Sequence, residues 1–122
     1  ASVVQNAAAE PLLPAARLAE VAGMIRGALP AEDPRFSPLY AHFDAPPPAF
    51  FQVGSTEILR DDTLRMAERL RAAGGQVRVE IWAGAPHVWQ MGDGWIPEAR
   101  AALRQMAGFL RAPQSDVPKA SR

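Results

Sequence analysis

Two short apolar runs constrain this chain more than anything else in it. Residues 49–53 (Ala-Phe-Phe-Gln-Val) and 77–83 (Val-Arg-Val-Glu-Ile-Trp-Ala) have the length and the aromatic or β-branched content of strands. Between them Leu64, Ala67 and Leu70 recur at helical spacing. Asp61 or Asp62 can cap the start of that helix, and Gly74-Gly75 can end it near Ala73. Strand, helix and strand in this order form a βαβ unit, whose strands run parallel because the helix returns the chain to its starting edge. The first run is nearly continuous, as in a strand buried on both faces. The second alternates apolar residues with Arg78 and Glu80, the pattern of an edge strand with one wet face. Two parallel strands alone rarely make a stable sheet, and no third convincing strand is present. The expected fold class is therefore α/β, two parallel strands with flanking helices, either as a fragment of a larger sheet or as one chain of a complex that supplies the rest.

The flanks extend this plan. Residues 14–29 read as a helix, with Leu18, Val21, Ala22, Ile25 and Leu29 along one stripe, Pro14 at its favoured start and Pro30 as its stop. Residues 33–48 are Pro-rich and irregular. A last helix begins near Pro97 and turns Ala99, Leu103, Met106 and Leu110 inward, while 113–122 has no apolar period and reads as a disordered tail. The chain thus divides into a helix and connection (1–36), an α/β portion (37–112) and the tail (113–122).

Composition removes several classes of function. Thirteen basic residues balance 13 acidic ones, so no basic footprint invites nucleic acid or an anionic membrane. The absence of Cys removes disulfides, thiolate metal sites and Cys nucleophiles together. No His/Asp/Glu grouping has metal spacing, and neither a metal nor a cofactor is expected. No apolar run approaches the roughly 18 residues that span a bilayer. Residues near Ala1 lack a charged start and hydrophobic block, so no signal peptide is read there and a cytoplasmic location is expected.

Chemistry concentrates just beyond the two strands. The first is followed by Gly54-Ser55-Thr56-Glu57-Ile58-Leu59-Arg60-Asp61-Asp62, the second by Gly84-Ala85-Pro86-His87. Parallel strands deliver these loops to the same sheet edge, where a carboxylate on one imidazole nitrogen fixes the tautomer and leaves the other free to take a proton. Each residue also has a plainer reading. Glu57 could be a solvated loop residue; Asp61 and Asp62 are expected to serve helix capping and dipole compensation. His87 could be structural, and His42 is expected on the surface. Trp82, Trp89, Trp95, Met91 and Phe43 read as packing residues, with Trp89 also able to line a substrate pocket. Ser55 reads as a turn residue and not a nucleophile, because no general base adjoins it in a tight elbow.

These pieces resemble, in order and spacing, the C-terminal part of bacterial α/β-hydrolase esterases of the hormone-sensitive-lipase family. The matching stretches are Asp33-Pro34-Arg35-Phe36-Ser37-Pro38-Leu39, the run from Phe51 to Asp62, Ala67-Glu68-Arg69-Leu70-Arg71-Ala72-Ala73-Gly74, and Gly84-Ala85-Pro86-His87-Val88-Trp89-Gln90. Residues 6–13 are similar to the family's approach to its cap-region helix, which assigns 1–36 to that helix and its connection. The resemblance implies a Ser, acid, His triad hydrolysing carboxylic esters, amide or carbamate bonds being the alternative. It places the acid at Glu57, a departure from the more frequent Asp, with Asp61 as runner-up, and the base at His87. The family's Gly-x-Ser-x-Gly and His-Gly-Gly-Gly-like loop do not occur in these residues. The expected partners are thus the N-terminal portion of the same hydrolase and a small ester, with a homo-oligomer possible; an inactive α/β association module is the competing reading.

Overall fold

The computed structural model describes residues 1–112, and the tail expected at 113–122 lies outside them. In chain order the elements are α1 (Ser2–Gln5), α2 (Leu18–Arg26), β1 (Ala49–Gly54), α3 (Arg60–Ala72), β2 (Val77–Trp82) and α4 (Pro97–Arg111), with 3-10 turns at Ala15–Arg17, Pro38–Tyr40 and Trp89–Gly92. The βαβ unit is present as expected. β1 and β2 pair in parallel, from Ala49 opposite Val77 to Gly54 opposite Trp82. This register sets the C-terminal ends of both strands side by side, so the turns that leave them open on one edge.

α3 packs on both strands and buries Ala67 and Leu70. α4 covers the face that carries the even-numbered β1 residues: Phe50 meets Phe109 with ring centroids 5.4 Å apart, and the Gln52 amide donates to the Ala102 carbonyl at 3.0 Å. Alternation sends Phe51 and Val53 to the opposite face, where Val53 is fully buried. The wet face expected on β2 is therefore partly covered. Arg78 lies 4.6 Å above the Phe50 ring and pairs with Glu80, which also accepts a hydrogen bond from Gln52 at 3.3 Å. Ile81, on the expected dry side, is 51% exposed.

Three helical expectations are corrected. The helix read over 14–29 is a 3-10 turn followed by α2, which stops at Gly27, where φ turns positive (60°), before Pro30 is reached. Its stripe is not fully buried: Val21 and Ile25 are exposed, while Leu18, Ala22 and Leu29 are half-buried. In α4 the expected stripe holds at Ala99, while Leu103 and Met106 are only half-buried and its last member is turned out. Ala99 and Ala102 are the buried positions, small enough to admit Trp89, while Leu110 is exposed and Phe109 takes the inward place. At α3 neither Asp61 nor Asp62 caps the helix through its side chain. Leu59 occupies the N-cap, and the Asp61 N–H is satisfied from far away in sequence by Ser2 Oγ at 3.0 Å.

Candidate active site

The acid turn is assembled by its own backbone. β1 ends at Gly54, whose N–H donates to Glu57 Oε1 at 2.6 Å and so folds the carboxylate back toward the strand end. The ladder continues one step as the Ser55 N–H donates to the Trp82 carbonyl at 2.8 Å. Ser55 Oγ accepts the Gly84 N–H at 2.9 Å, and Thr56 Oγ1 donates to the Ala85 carbonyl at 2.9 Å. These bonds stitch the turn after β1 to the turn after β2, and they give Ser55 the turn role that its sequence setting suggested. The two turns approach so closely that a Cβ at Gly54 would sit 1.8 Å from the Ala85 carbonyl oxygen.

That stitching brings Glu57 and His87 together. Glu57 Oε2 lies 2.8 Å from His87 Nδ1; the carboxylate is nearly fully buried and the imidazole is 30% exposed. A buried carboxylate with one oxygen on a backbone N–H and the other on Nδ1 has little freedom to rotate away. With a proton on Nδ1, the second ring nitrogen, Nε2, is left as an acceptor. Val88, immediately after His87, adopts a left-handed conformation (φ 51°, ψ 34°), which is strained for a β-branched residue. Trp89 then drops into the core against Trp82 (centroids 5.7 Å apart), Ala99 and Ala102, and pins the far side of the turn.

The remaining residues singled out from sequence are placed as follows. Asp61 does not share the imidazole: it accepts the Ser2 N–H at 2.6 Å, and that bond, with Arg60 nearby, holds its carboxyl below the usual carboxylate range. Asp62 pairs with Arg65 at 3.1 Å, and exposed His42 meets Asp44 at 3.0 Å. Trp89 is buried and also walls a cavity of about 200 Å³ behind the His87 turn, together with Trp82, Pro86, Ile96 and Glu98. Trp95 and Met91, read as packing residues, are instead 92% and 84% exposed, since they sit on the loop leading into α4. Among the described residues there is no cluster of three or more His, Asp or Glu able to hold a metal, and no helix long and apolar enough to cross a membrane.

The sequence reading missed Ser2, Asn6 and Glu10. Ser2 Oγ donates to the Ile58 carbonyl at 2.7 Å, and Asn6 Nδ2 donates to the Ser55 and Glu57 carbonyls at 3.0 and 2.7 Å. Glu10, only 6% exposed, accepts the Leu12 N–H on Oε1 (2.9 Å) and the His87 N–H on Oε2 (3.3 Å). A signal existed. These three polar residues recur every four positions in a segment otherwise rich in Ala and Val, a regularity visible in the sequence.

A fold of this kind, with carboxylate and imidazole presented from adjacent parallel strand ends, defines a part of an α/β-hydrolase. Residues 1–91 match the model of the alpha/beta hydrolase fold family, and the chain belongs to that family. It is 43% identical over 84 residues to an esterase of Acinetobacter venetianus, covering 69% of this chain and 28% of that protein. It is 33% identical over 111 residues to an acetyl-hydrolase of Streptomyces hygroscopicus, covering 91% and 37% respectively. A solved esterase from the bacterial hormone-sensitive lipase family superposes with a TM-score of 0.87 at 35% identity, over 90% of this chain and 37% of that one. The chain thus spans about a third of the length of the relatives it matches.

Proposed function

We propose that this chain supplies the acid and the base of a serine carboxylic ester hydrolase, while the nucleophile and oxyanion hole come from polypeptide outside residues 1–122. The observation that carries the reading is the 2.8 Å contact between buried Glu57 and His87 Nδ1, at the strand ends of a chain of the alpha/beta hydrolase fold family. In the mechanism His87 Nε2 takes the proton from the Ser hydroxyl as that oxygen attacks the ester carbonyl, then delivers it to the departing alcohol. Glu57 holds the tautomer and balances the imidazolium. Water, deprotonated by the same nitrogen, releases the acid from the acyl-enzyme. The name of the Streptomyces relative, acetyl-hydrolase, supports a short acyl group. Trp89 would contact such a substrate only through the cavity it walls beside the His87 turn. The uncovered face of α2 and the outer edge of β1, unpaired among the described residues, support a partner in the rest of the hydrolase.

The test is turnover of short-chain p-nitrophenyl esters by the hydrolase that contains this chain. Loss of the base is expected to lower kcat by about 10⁶ and loss of the acid by about 10⁴, so His87→Ala should abolish and Glu57→Gln nearly abolish hydrolysis. Turnover close to wild type in either variant would remove the assignment.

A further inference from the structure

From the contacts of the N-terminal segment we infer that Glu10 is a positioning residue for the His87 turn, and that Asn6 does the same for the Glu57 turn. Ester hydrolysis by this pair requires acid and base to stay in register, and residues 2–10 touch both. Asn6 spends both amide hydrogens on the carbonyls of Ser55 and Glu57, fixing the backbone that carries the acid. Glu10 reaches the other turn, where one carboxylate oxygen accepts the His87 N–H while the other is tied to Leu12 in its own segment. A carboxylate 6% exposed whose recorded bonds go to two backbone N–H groups is held in place and holds what it touches.

The conformation of Val88 supplies the reason such a hold is needed. A β-branched residue at φ 51° persists only where its surroundings over-determine the turn. Trp89, buried against Trp82, fixes the C-terminal side; Glu10, through the His87 N–H, fixes the N-terminal side. With Glu10 gone, the turn is free to relax toward negative φ at Val88, which swings the imidazole away from Glu57. Glu10 touches neither reacting atom, so its effect belongs in kcat and not in KM.

The experiment reads the pair directly. The His87 Nδ1 proton, bonded to Glu57, is followed by its far-downfield NMR line in the protein containing this chain, alongside hydrolysis of a short p-nitrophenyl ester. A misplacement of this kind costs on the order of 10²-fold in rate. Glu10→Ala should therefore lose or broaden the line and lower kcat roughly 10²-fold with KM little changed; Glu10→Gln, which keeps one acceptor oxygen, should fall between. The diagnostic variant is Glu10→Ala with Val88→Asn, because Asn tolerates the left-handed region; line and kcat should both recover toward wild type. A merely structural role predicts a lower melting temperature in Glu10→Ala with line and kcat unchanged, and that result would overturn the inference, as would failure of the Asn substitution to restore either. If Glu10→Ala does not fold, Glu10→Gln decides: a wild-type line and kcat there refute the role. The kinetic half rests on the ester-hydrolase reading and the NMR half does not. A protein without esterase activity whose line still depends on Glu10 would refute that reading and leave the positioning role standing.

Discussion

Gly54 has two jobs at one position. Its N–H orients Glu57, and its missing side chain lets the Ala85 carbonyl pass where a Cβ would stand 1.8 Å away. Backbone on both sides cannot yield as a flexible side chain could, so Gly54→Ala should push the His87 turn off the acid turn. The expected cost is about 1–3 kcal/mol of overpacking, read as a lower denaturation midpoint together with loss of the short Glu57–His87 bond. Gly108 is the control: in α4 a Cβ there meets nothing within 4 Å, so Gly108→Ala should stabilise by up to about 1 kcal/mol through helix propensity. At this scale the meeting of Glu57 and His87 was legible, because strand ends and family motifs mark both in the sequence. Ser2, Asn6 and Glu10 act on backbone groups dozens of residues away, and only their four-residue spacing hinted at it.

Among elements, the join between the N-terminal segment and α3 is the one most open to test. Ser2 Oγ accepts the Asp61 N–H and the Ser2 N–H donates to the Asp61 carboxylate, a reciprocal cap made by a residue 59 positions away. Removing the hydroxyl leaves an α3 N–H without its partner, so Ser2→Ala should cost about 0.5–2 kcal/mol, as loss of a cap does. The same join gives a pH signature. The Ser2 N–H holds the Asp61 carboxyl below its usual range, and Arg35 holds that of Asp33 at about 2. Between the ordinary carboxylate pKa and these lowered values the unfolded chain binds more protons than the folded one. The stability these groups contribute is thus complete above the ordinary value and lost as pH falls through the folded one. Denaturation midpoints followed from pH 6 downward should decline across that window, with a shallower decline in Asp61→Asn, where Asp33 alone of the two remains. The strands and α3 were legible from hydropathy within a residue or so. In α4 Ala99 was legible as an inward position but Ala102 was not, because a small residue there makes room for Trp89, a fit set by tertiary packing that periodicity does not encode.

For the whole molecule, the described residues read as a surface prepared for more polypeptide. Val21, Met24 and Ile25 on α2 are exposed, and β1, whose sequence suits a strand flanked on both sides, pairs only with β2 among the described residues. Relatives about two and a half times as long match this chain over about a third of their length, and the proposed acid and base, without a nucleophile, call for the rest of that fold. The most direct measurement is fluorophosphonate labelling of the protein that carries this chain, with the modified residue located by mass spectrometry in wild type and in His87→Ala. A single labelled Ser outside residues 1–122 is expected, with labelling largely lost when His87 is replaced. A label on Ser55 or another residue within this chain, or labelling indifferent to His87, would contradict it.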